Sequence, residues 1–375
     1  MSDTSQHTDQ RIMAAAIRLA RRNEGQTGTN PSVACVLVRE SSDGSYIVGS
    51  GITALGGRPH AEPIALAEAG ELARGATAYV TLEPCAHHGK TPPCAQTLID
   101  AGIARVVTAV VDPDERVNQL GHKMLRDSGI DVTIDCLADE ATIGLRAYLN
   151  RKHNNRCYVT LKLALSAEGA IGIKGEGQVA ITGPQAKNQT YLLRARHQAI
   201  LVGAGTVAED DPELTCRLHG LESRSPIRIV LDPYGRTPLT SKLYSQAKTH
   251  RTIIIAADGM SEVKRQAFRE LGCEIFPCEM QNGQVALPEL LEDLSGIGIL
   301  SVLVEGGAGI AKSFLDEALV DEIILLESPK SIAAAKGDLV LAPISSNTIP
   351  KDFTPLEVLA LGEDKSTRYI WTKSN

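Results

Sequence analysis

The residues best suited to chemistry in this sequence are His60-Ala61-Glu62, Pro84-Cys85 and, after eight intervening residues, Cys94. Zinc favours imidazole and thiolate ligands, and a catalytic site uses three of them so that water can take the fourth position. His60, Cys85 and Cys94 form such a set, and one zinc per chain is expected. Bound zinc can lower the pKa of its water from ~15.7 to about 7. Attack on an amino-bearing ring carbon also needs a group that takes a proton and returns it to the departing ammonia. Glu62 stands beside a ligand without being one, and fits that catalytic role. The implied chemistry is hydrolytic deamination, although the eight-residue gap between the cysteines departs from the C-x-x-C spacing of the general deaminase signature. Two plainer readings stay open at this point: a structural zinc site closed by His87 or His88, or three unrelated buried residues. In either, Glu62 has no purpose. Cys35, Cys136, Cys157, Cys216, Cys273 and Cys278 show no such grouping and read as small buried apolar residues.

These side chains need elements to position them. Cys85 follows a predicted strand from Ala76 to Leu82, and Cys94 opens a predicted helix ending at Ala101. A helix N-terminus favours the thiolate, the form that binds metal. His60 and Glu62 begin a predicted helix running to Leu72, whose first turn tolerates Pro63. Upstream, Ile12, Ala16 and Leu19 mark a helix that Asp9 caps, and strands are predicted at Ser32 to Val38 and Tyr46 to Ile52, joined by the turn Ser41-Ser42-Asp43-Gly44. A strand from Arg105 to Val111 and a helix near Met124 continue the alternation. The pattern is α/β, with helices packed on a largely parallel sheet.

The alternation breaks at the polar, basic stretch from Asn150 to Arg156, which reads as a short linker, 151–156, between domains 1–150 and 157–375. A second α/β series follows. Its predicted strands are Tyr158 to Leu165, Ala199 to Val202, Ile227 to Leu231, Thr252 to Ala256 and Leu300 to Val304. Helices are predicted at Pro184 to Arg196, Ser261 to Leu271 and Ile310 to Leu319. Two domains suit a chain of 375 residues.

Composition narrows the setting. An apolar fraction of 43% and a mean hydropathy of −0.06 are those of a soluble protein. No stretch approaches the ~18 apolar residues that span a bilayer. Met1 to Gln10 has neither the basic start nor the apolar run of a secretion signal, so a cytoplasmic location is expected, away from membranes. Eight cysteines in a chain this long are too sparse for a disulfide framework. A net charge of −7 and a pI near 5.8 argue against a nucleic-acid partner.

The run from Ala78 to Cys94, Ala-Tyr-Val-Thr-Leu-Glu-Pro-Cys-Ala-His-His-Gly-Lys-Thr-Pro-Pro-Cys, closely resembles the bifunctional deaminase/reductase family of riboflavin biosynthesis. Thr29-Asn30-Pro31 and Pro59-His60-Ala61-Glu62 fit the same family. In the second half so do Val159-Thr160-Leu161-Lys162, Ile200 to Gly203, Thr206 to Arg217 and Leu303 to Gly307. The resemblance implies a cytidine-deaminase-like three-layer α/β/α domain followed by a dihydrofolate-reductase-like α/β domain. It implies deamination of a 2,5-diamino-6-ribosylamino-pyrimidinone 5′-phosphate, then reduction of its ribosyl group to ribityl with NADPH. A homo-oligomer is expected. Carry-over makes His60, Cys85 and Cys94 the ligands and Glu62 the proton shuttle, with Asn30, His87, Lys90 and Asp112 holding the pyrimidine or its phosphoribosyl tail. In the reductase half it puts Leu165, Thr206, Asp210, Gly307, Ala308, Gly309, Ile310, Ala311, Lys312 and Ser313 against NADPH. Lys162, Leu214, Arg217 and Glu305 fall at substrate positions, with Arg194 a further phosphate candidate.

A strand ending at Glu305 and leading through Gly306-Gly307-Ala308-Gly309 into a helix suits a phosphate at a helix N-terminus. By contrast Gly203-Ala204-Gly205-Thr206-Val207-Ala208 matches a Rossmann fingerprint but continues into Glu209-Asp210-Asp211-Pro212, which cannot open an amphipathic helix, so the Rossmann reading fails on context. The sequence also departs from the family. A Ser and a Trp are missing before Ile181-Thr182, weakening the placing of residues 175–180 against a ligand. Thr53 replaces a His near the ring site, and Asp-Pro-Asn-Pro appears as Asp112-Pro113-Asp114-Glu115. Two rivals follow: an active deaminase whose reductase-like module only binds ligand, and a nucleic-acid base deaminase. The acidic balance, without basic clusters interleaved with aromatics, disfavours the second.

Overall fold

The computed structural model describes residues 3–42, 44–87, 92–333 and 337–372. The chain divides into two compact units, Met1–Asn155 and Arg156–Asn375. No helix among the described residues is long and apolar enough to cross a membrane.

The first unit contains helices α1 (Asp3–Ala20), α2 (Ala61–Ala69), α3 (Cys94–Asp100), α4 (Leu120–Asp127) and α5 (Ala138–Asn154). Its strands are β1 (Ala34–Ser41), β2 (Gly44–Ile52), β3 (Thr77–Val80), β4 (Arg105–Thr108) and β5 (Asp131–Thr133), ordered β2-β1-β3-β4-β5 in one sheet. The β1 pairings are antiparallel and β3-β4-β5 parallel, so the sheet is more mixed than expected. One face carries Met13, Ala16 and Ile17 of α1 against Val36 and Val107; the other carries Ala61 and Ala65 of α2 with Leu98 against Cys35 and Val80. Helix α2 lies close on β2: a Cβ on Gly51 would meet the Ala61 carbonyl oxygen at 2.1 Å. That approach, open only to glycine, fixes the start of α2 and the residues it presents.

Asp9 is not a cap. It sits within α1, buried, where it accepts hydrogen bonds from Arg105 at 2.9 and 2.7 Å and from the Tyr79 hydroxyl at 2.7 Å. The basic stretch expected to be a linker is largely helix, since α5 runs through Asn150 to Asn154 and stops at left-handed Asn155. Its Arg151, Lys152 and His153 make a basic last turn, which the helix dipole favours.

The second unit contains α6 (Pro184–Arg196), α7 (Ala204–Asp210), α8 (Lys242–Ser245), α9 (Glu262–Glu270), α10 (Leu287–Gly296) and α11 (Ala308–Asp316). Its strands are β6 (Tyr158–Leu165), β7 (Ala170–Ile173), β8 (Ala199–Gly203), β9 (Ile227–Leu231), β10 (Thr252–Ala256), β11 (Glu274–Pro277), β12 (Met280–Gln281), β13 (Gln284–Val285), β14 (Ser301–Val304), β15 (Glu322–Glu327), β16 (Leu339–Leu341), β17 (Phe353–Leu361) and β18 (Asp364–Trp371). Nine form one sheet, β11-β10-β9-β8-β14-β6-β15-β18-β17, parallel from β11 to β15 and antiparallel at the carboxy-terminal hairpin. Its central strands are buried on both faces, as parallel strands between helical layers must be. Helix α7 opens directly after Gly203 but ends within seven residues, where Asp211 turns left-handed before Pro212, so Glu209 to Pro212 open no helix.

Candidate functional site

His60 is the N-cap residue of α2, Cys85 follows β3, and Cys94 is the first residue of α3. These three elements bring one imidazole and two thiols together, with their ligand atoms all within 4.8 Å of one another. His60 Nδ1 lies 3.9 Å from Cys85 Sγ and 3.4 Å from Cys94 Sγ. The Cys94 backbone N–H donates to Cys85 Sγ at 3.3 Å, as a helix N-terminus should to a thiolate. The neighbouring Cys94 thiol and His60 ring hold the Cys85 thiol down at about 4, against the opposing effect of burial. That donor set, two sulfurs and one nitrogen, fits zinc with an open fourth position. Glu62 is 4% exposed, and burial raises its pKa above the ordinary carboxylate value. A carboxyl raised in this way holds a proton more readily, as a group that takes and returns one must.

The cluster opens into a cavity of about 630 Å³ whose walls include Asn30, His87 and Asp112. Asn30 donates to the Gly57 carbonyl at 3.1 Å, and His87 Nδ1 is buried without a hydrogen-bond partner among the described residues. Asp112 accepts from Tyr148 Oη at 2.8 Å and from the Asp114 N–H at 2.9 Å. Thr53 is knitted into the backbone, its hydroxyl accepting from the Val33 N–H at 3.0 Å. Lys90 and His88 lie outside the described residues.

Sequence reasoning missed the groups that support this cavity. Glu83, buried, accepts backbone N–H bonds from Asp112 at 3.3 Å, Gln119 at 3.0 Å and His122 at 3.2 Å, pinning the loop that follows β4. Gly121 lets that loop approach, since a Cβ there would lie 2.0 Å from the Pro84 carbonyl oxygen. Tyr148, Arg151 and Lys152 reach the cavity from α5; the linker reading hid Arg151 and Lys152, and Tyr148 carried no signal of its own. The adjacency of Glu83 to Pro84-Cys85 was the one available signal.

In the second unit a cavity of about 730 Å³ is lined by Lys162, Arg194, Arg217 and Glu305, and by Thr206, Asp210, Gly307, Ala308, Gly309 and Ile310. Gly177 to Thr182 also line it, so the segment lacking the family's Ser and Trp does face the cavity. Glu305 is held in a fork by Arg194, Nε at 2.8 Å and Nη2 at 3.0 Å, with Lys162 Nζ at 3.7 Å. Burial opposes its charge, yet Arg194 and Lys162 hold it down at about 2. Arg194, which also donates to the Thr215 carbonyl, is therefore a buried partner of Glu305 rather than an open phosphate anchor. Arg217 is an accessible cation of this cavity, 47% exposed, 3.4 Å from Glu213 and 5.1 Å from the Tyr191 ring centre, and exposed Lys187 is a second. The Gly307 N–H donates to Thr206 Oγ1 at 3.2 Å, joining the starts of α7 and α11.

Five expected ligand contacts do not line this cavity. Leu165, Leu214 and Ala311 are buried in the apolar core, Lys312 pairs with Asp316 at 2.5 Å, and Ser313 donates to the Gly309 carbonyl. The pleat of β6 turns Leu165, and the helical turn of α11 turns Ala311, Lys312 and Ser313, away from the cavity, while left-handed Leu214 packs inward from an irregular segment.

Comparison with known proteins agrees with both halves. Residues 157–364 match the family described as RibD C-terminal domain, and residues 6–110 the cytidine and deoxycytidylate deaminase zinc-binding region. The chain is 39% identical over 332 residues to riboflavin biosynthesis protein RibD of Haemophilus influenzae, covering 85% of each chain. To the Escherichia coli protein of the same name it is 36% identical, covering 95% of this chain and 97% of that one. The structure of Acinetobacter baumannii RibD superposes with a TM-score of 0.84 at 36% identity, covering 98% and 100% of the two chains. A Thermotoga maritima diaminohydroxyphosphoribosylaminopyrimidine deaminase/5-amino-6-(5-phosphoribosylamino)uracil reductase gives 0.83 at 30% identity, covering 98% and 99%. A zinc-type donor set in the first unit, a glycine-bordered cavity in the second, and relatives that span both units make this chain a member of the RibD family of riboflavin biosynthesis proteins.

Proposed function

We propose that the first unit deaminates a diaminopyrimidine ribosyl-phosphate and the second reduces the deaminated product's ribosyl group, with NADPH as hydride donor. The observation that carries the reading is the convergence of His60, Cys85 and Cys94 beside buried Glu62 in a cavity of substrate size. His60 Nδ1 and the two sulfurs would hold one zinc per chain. Zinc supplies Lewis acidity, which activates water at neutral pH. Glu62 would take a proton from the attacking water and return it to the leaving ammonia. Asn30, His87 and Asp112 orient the pyrimidine, Asp112 being itself steadied by Tyr148.

In the second unit the backbone from Gly307 to Ile310 at the head of α11 suits a cofactor phosphate. Arg217 takes the substrate phosphate, and the Lys162–Glu305–Arg194 group fixes the sugar. Assaying two variants on both substrates tests the assignment. Glu62→Gln should lose ~10²–10⁴-fold in ammonia release yet still oxidise NADPH with deaminated substrate. Arg217→Ala should weaken reduction and leave ammonia release intact. If Glu62→Gln stops reduction, or Arg217→Ala stops deamination, the two-site assignment fails.

A further inference from the structure

We propose that Arg116 and Lys152, gathered by Asp114 on the wall of the deaminase cavity, form the subsite that receives the substrate's 5′-phosphate. The proposal rests on the deaminase reading above. All three residues line the cavity onto which His60, Glu62 and Cys85 open. Asp114 is buried, and its carboxylate accepts from Arg116 Nε at 3.0 Å, Arg116 Nη2 at 2.7 Å and Lys152 Nζ at 2.6 Å. Arg116, and then Lys152, hold Asp114 well below the usual carboxylate range, so it stays ionised. Two cations on one anion leave a net positive charge on the wall.

Both cations remain reachable, Arg116 with 64% and Lys152 with 28% of its side chain exposed. Among the described residues Arg116 Nη1 has no hydrogen-bond partner, and Lys152 uses one of three ammonium donors. Lys152 is further fixed by the Tyr148 ring one turn back on α5, 5.6 Å from its nitrogen. A guanidinium edge and an ammonium held together in this way match the oxygens of a phosphate. The other acids of this cavity have other partners: Glu83 accepts backbone N–H groups, Asp112 accepts from Tyr148, and Glu62 belongs to the His60, Cys85 and Cys94 cluster. A basic last turn complements the dipole of any helix, which accounts for Arg151 and His153. It does not account for Lys152 meeting a buried carboxylate contributed by another segment.

The test compares ammonia release from the 5′-phosphorylated substrate and from its dephosphorylated counterpart, using wild type, Arg116→Met, Lys152→Met and Lys152→Arg. Zinc content and thermal unfolding identify any variant that fails to fold. Each Met variant should lose roughly ten- to a hundred-fold in kcat/KM on the phosphorylated compound, through KM, as expected for one charge-assisted bond. On the dephosphorylated compound both should stay close to wild type, and Lys152→Arg should keep the preference for phosphate. Ribose 5-phosphate should inhibit wild type and inhibit the Met variants less, whereas ribose should not. Equal losses on the two compounds, or no loss on the phosphorylated one, overturn the subsite. A zinc-loaded wild type that releases no ammonia from either compound overturns the deaminase reading and the subsite with it.

Discussion

Replacing Glu305 by Gln tests the electrostatics of the second cavity quantitatively. In the folded protein this carboxylate titrates at about 2 against an ordinary value of 4.5. The difference, about 2.5 pH units at ~1.4 kcal/mol each, corresponds to about 3 kcal/mol of folding stability. The folded pKa is depressed, so this contribution is present above pH 4.5 and is lost as pH falls from there through about 2. An independent route gives the same order, since removing one partner of a buried ion pair typically costs about 3–5 kcal/mol. Glu305→Gln leaves the Arg194 guanidinium buried without its counter-charge and deprives Lys162, already lowered by burial, of the anion that supports its proton. Hydrogen exchange on the full chain, followed in peptides from β14 and α6, reads the local loss without assuming a single unfolding transition. At pH 7 exchange there should accelerate roughly a hundredfold, and the gap to wild type should close as pH falls from 4.5 towards 2. Combining Arg194→Met and Lys162→Met with Glu305→Leu should recover part of the loss by removing all three charges. Wild-type exchange rates in Glu305→Gln at pH 7, or a gap that does not depend on pH, would refute the reasoning.

Other expectations are simpler to check. A chelator that strips zinc should abolish ammonia release while NADPH oxidation with deaminated substrate continues, and metal analysis before stripping should find about one zinc per chain. His122, buried and bonded to Thr108, titrates at about 4 in the fold against an ordinary 6.5. Protonation is thus disfavoured in the folded state, and the first unit should lose about 3 kcal/mol as pH falls from 6.5 to 4, a slope that His122→Gln should flatten in pH-dependent hydrogen exchange. Gly121→Ala should destabilise the first unit by about 1–3 kcal/mol and lower deamination, because the added methyl must displace the Pro84 carbonyl next to Cys85. Thermal unfolding and ammonia release measure both effects.

Ligand chemistry was the most legible part of this protein because zinc constrains residue type and spacing together: His60, Cys85 and Cys94 could be read as one set before any element was placed. Strand Tyr158–Leu165 and helix Pro184–Arg196 lie where apolar pattern and an N-terminal proline put them. The hairpin of β17 and β18 escaped notice, since its outer strand alternates weakly and leaves Val358 exposed. Asp9 misled because an acid near a helix start is ordinarily a cap, whereas here its partners, Tyr79 and Arg105, come from distant strands. Glu83 and Asp114 are of the same kind: Glu83 matters through burial and remote backbone donors, and Asp114 through burial and the distant Lys152 that joins its near neighbour Arg116, which no local pattern encodes. The basic tail of α5 looked like a solvated connection because polarity alone does not distinguish a helix's last turn from a loop.

That tail has a consequence for how the two activities could be separated or exchanged. A gene split after residue 150 would look tidy on composition, yet it would discard Arg151, Lys152, His153 and Asn155 from the deaminase cavity and unravel the helix beneath Tyr148. The workable seam follows Asn155. Recombination that swaps the reductase for another partner must therefore keep all of α5 with the deaminase. A stand-alone deaminase cut from this chain would carry its last helix as an integral wall of its own cavity.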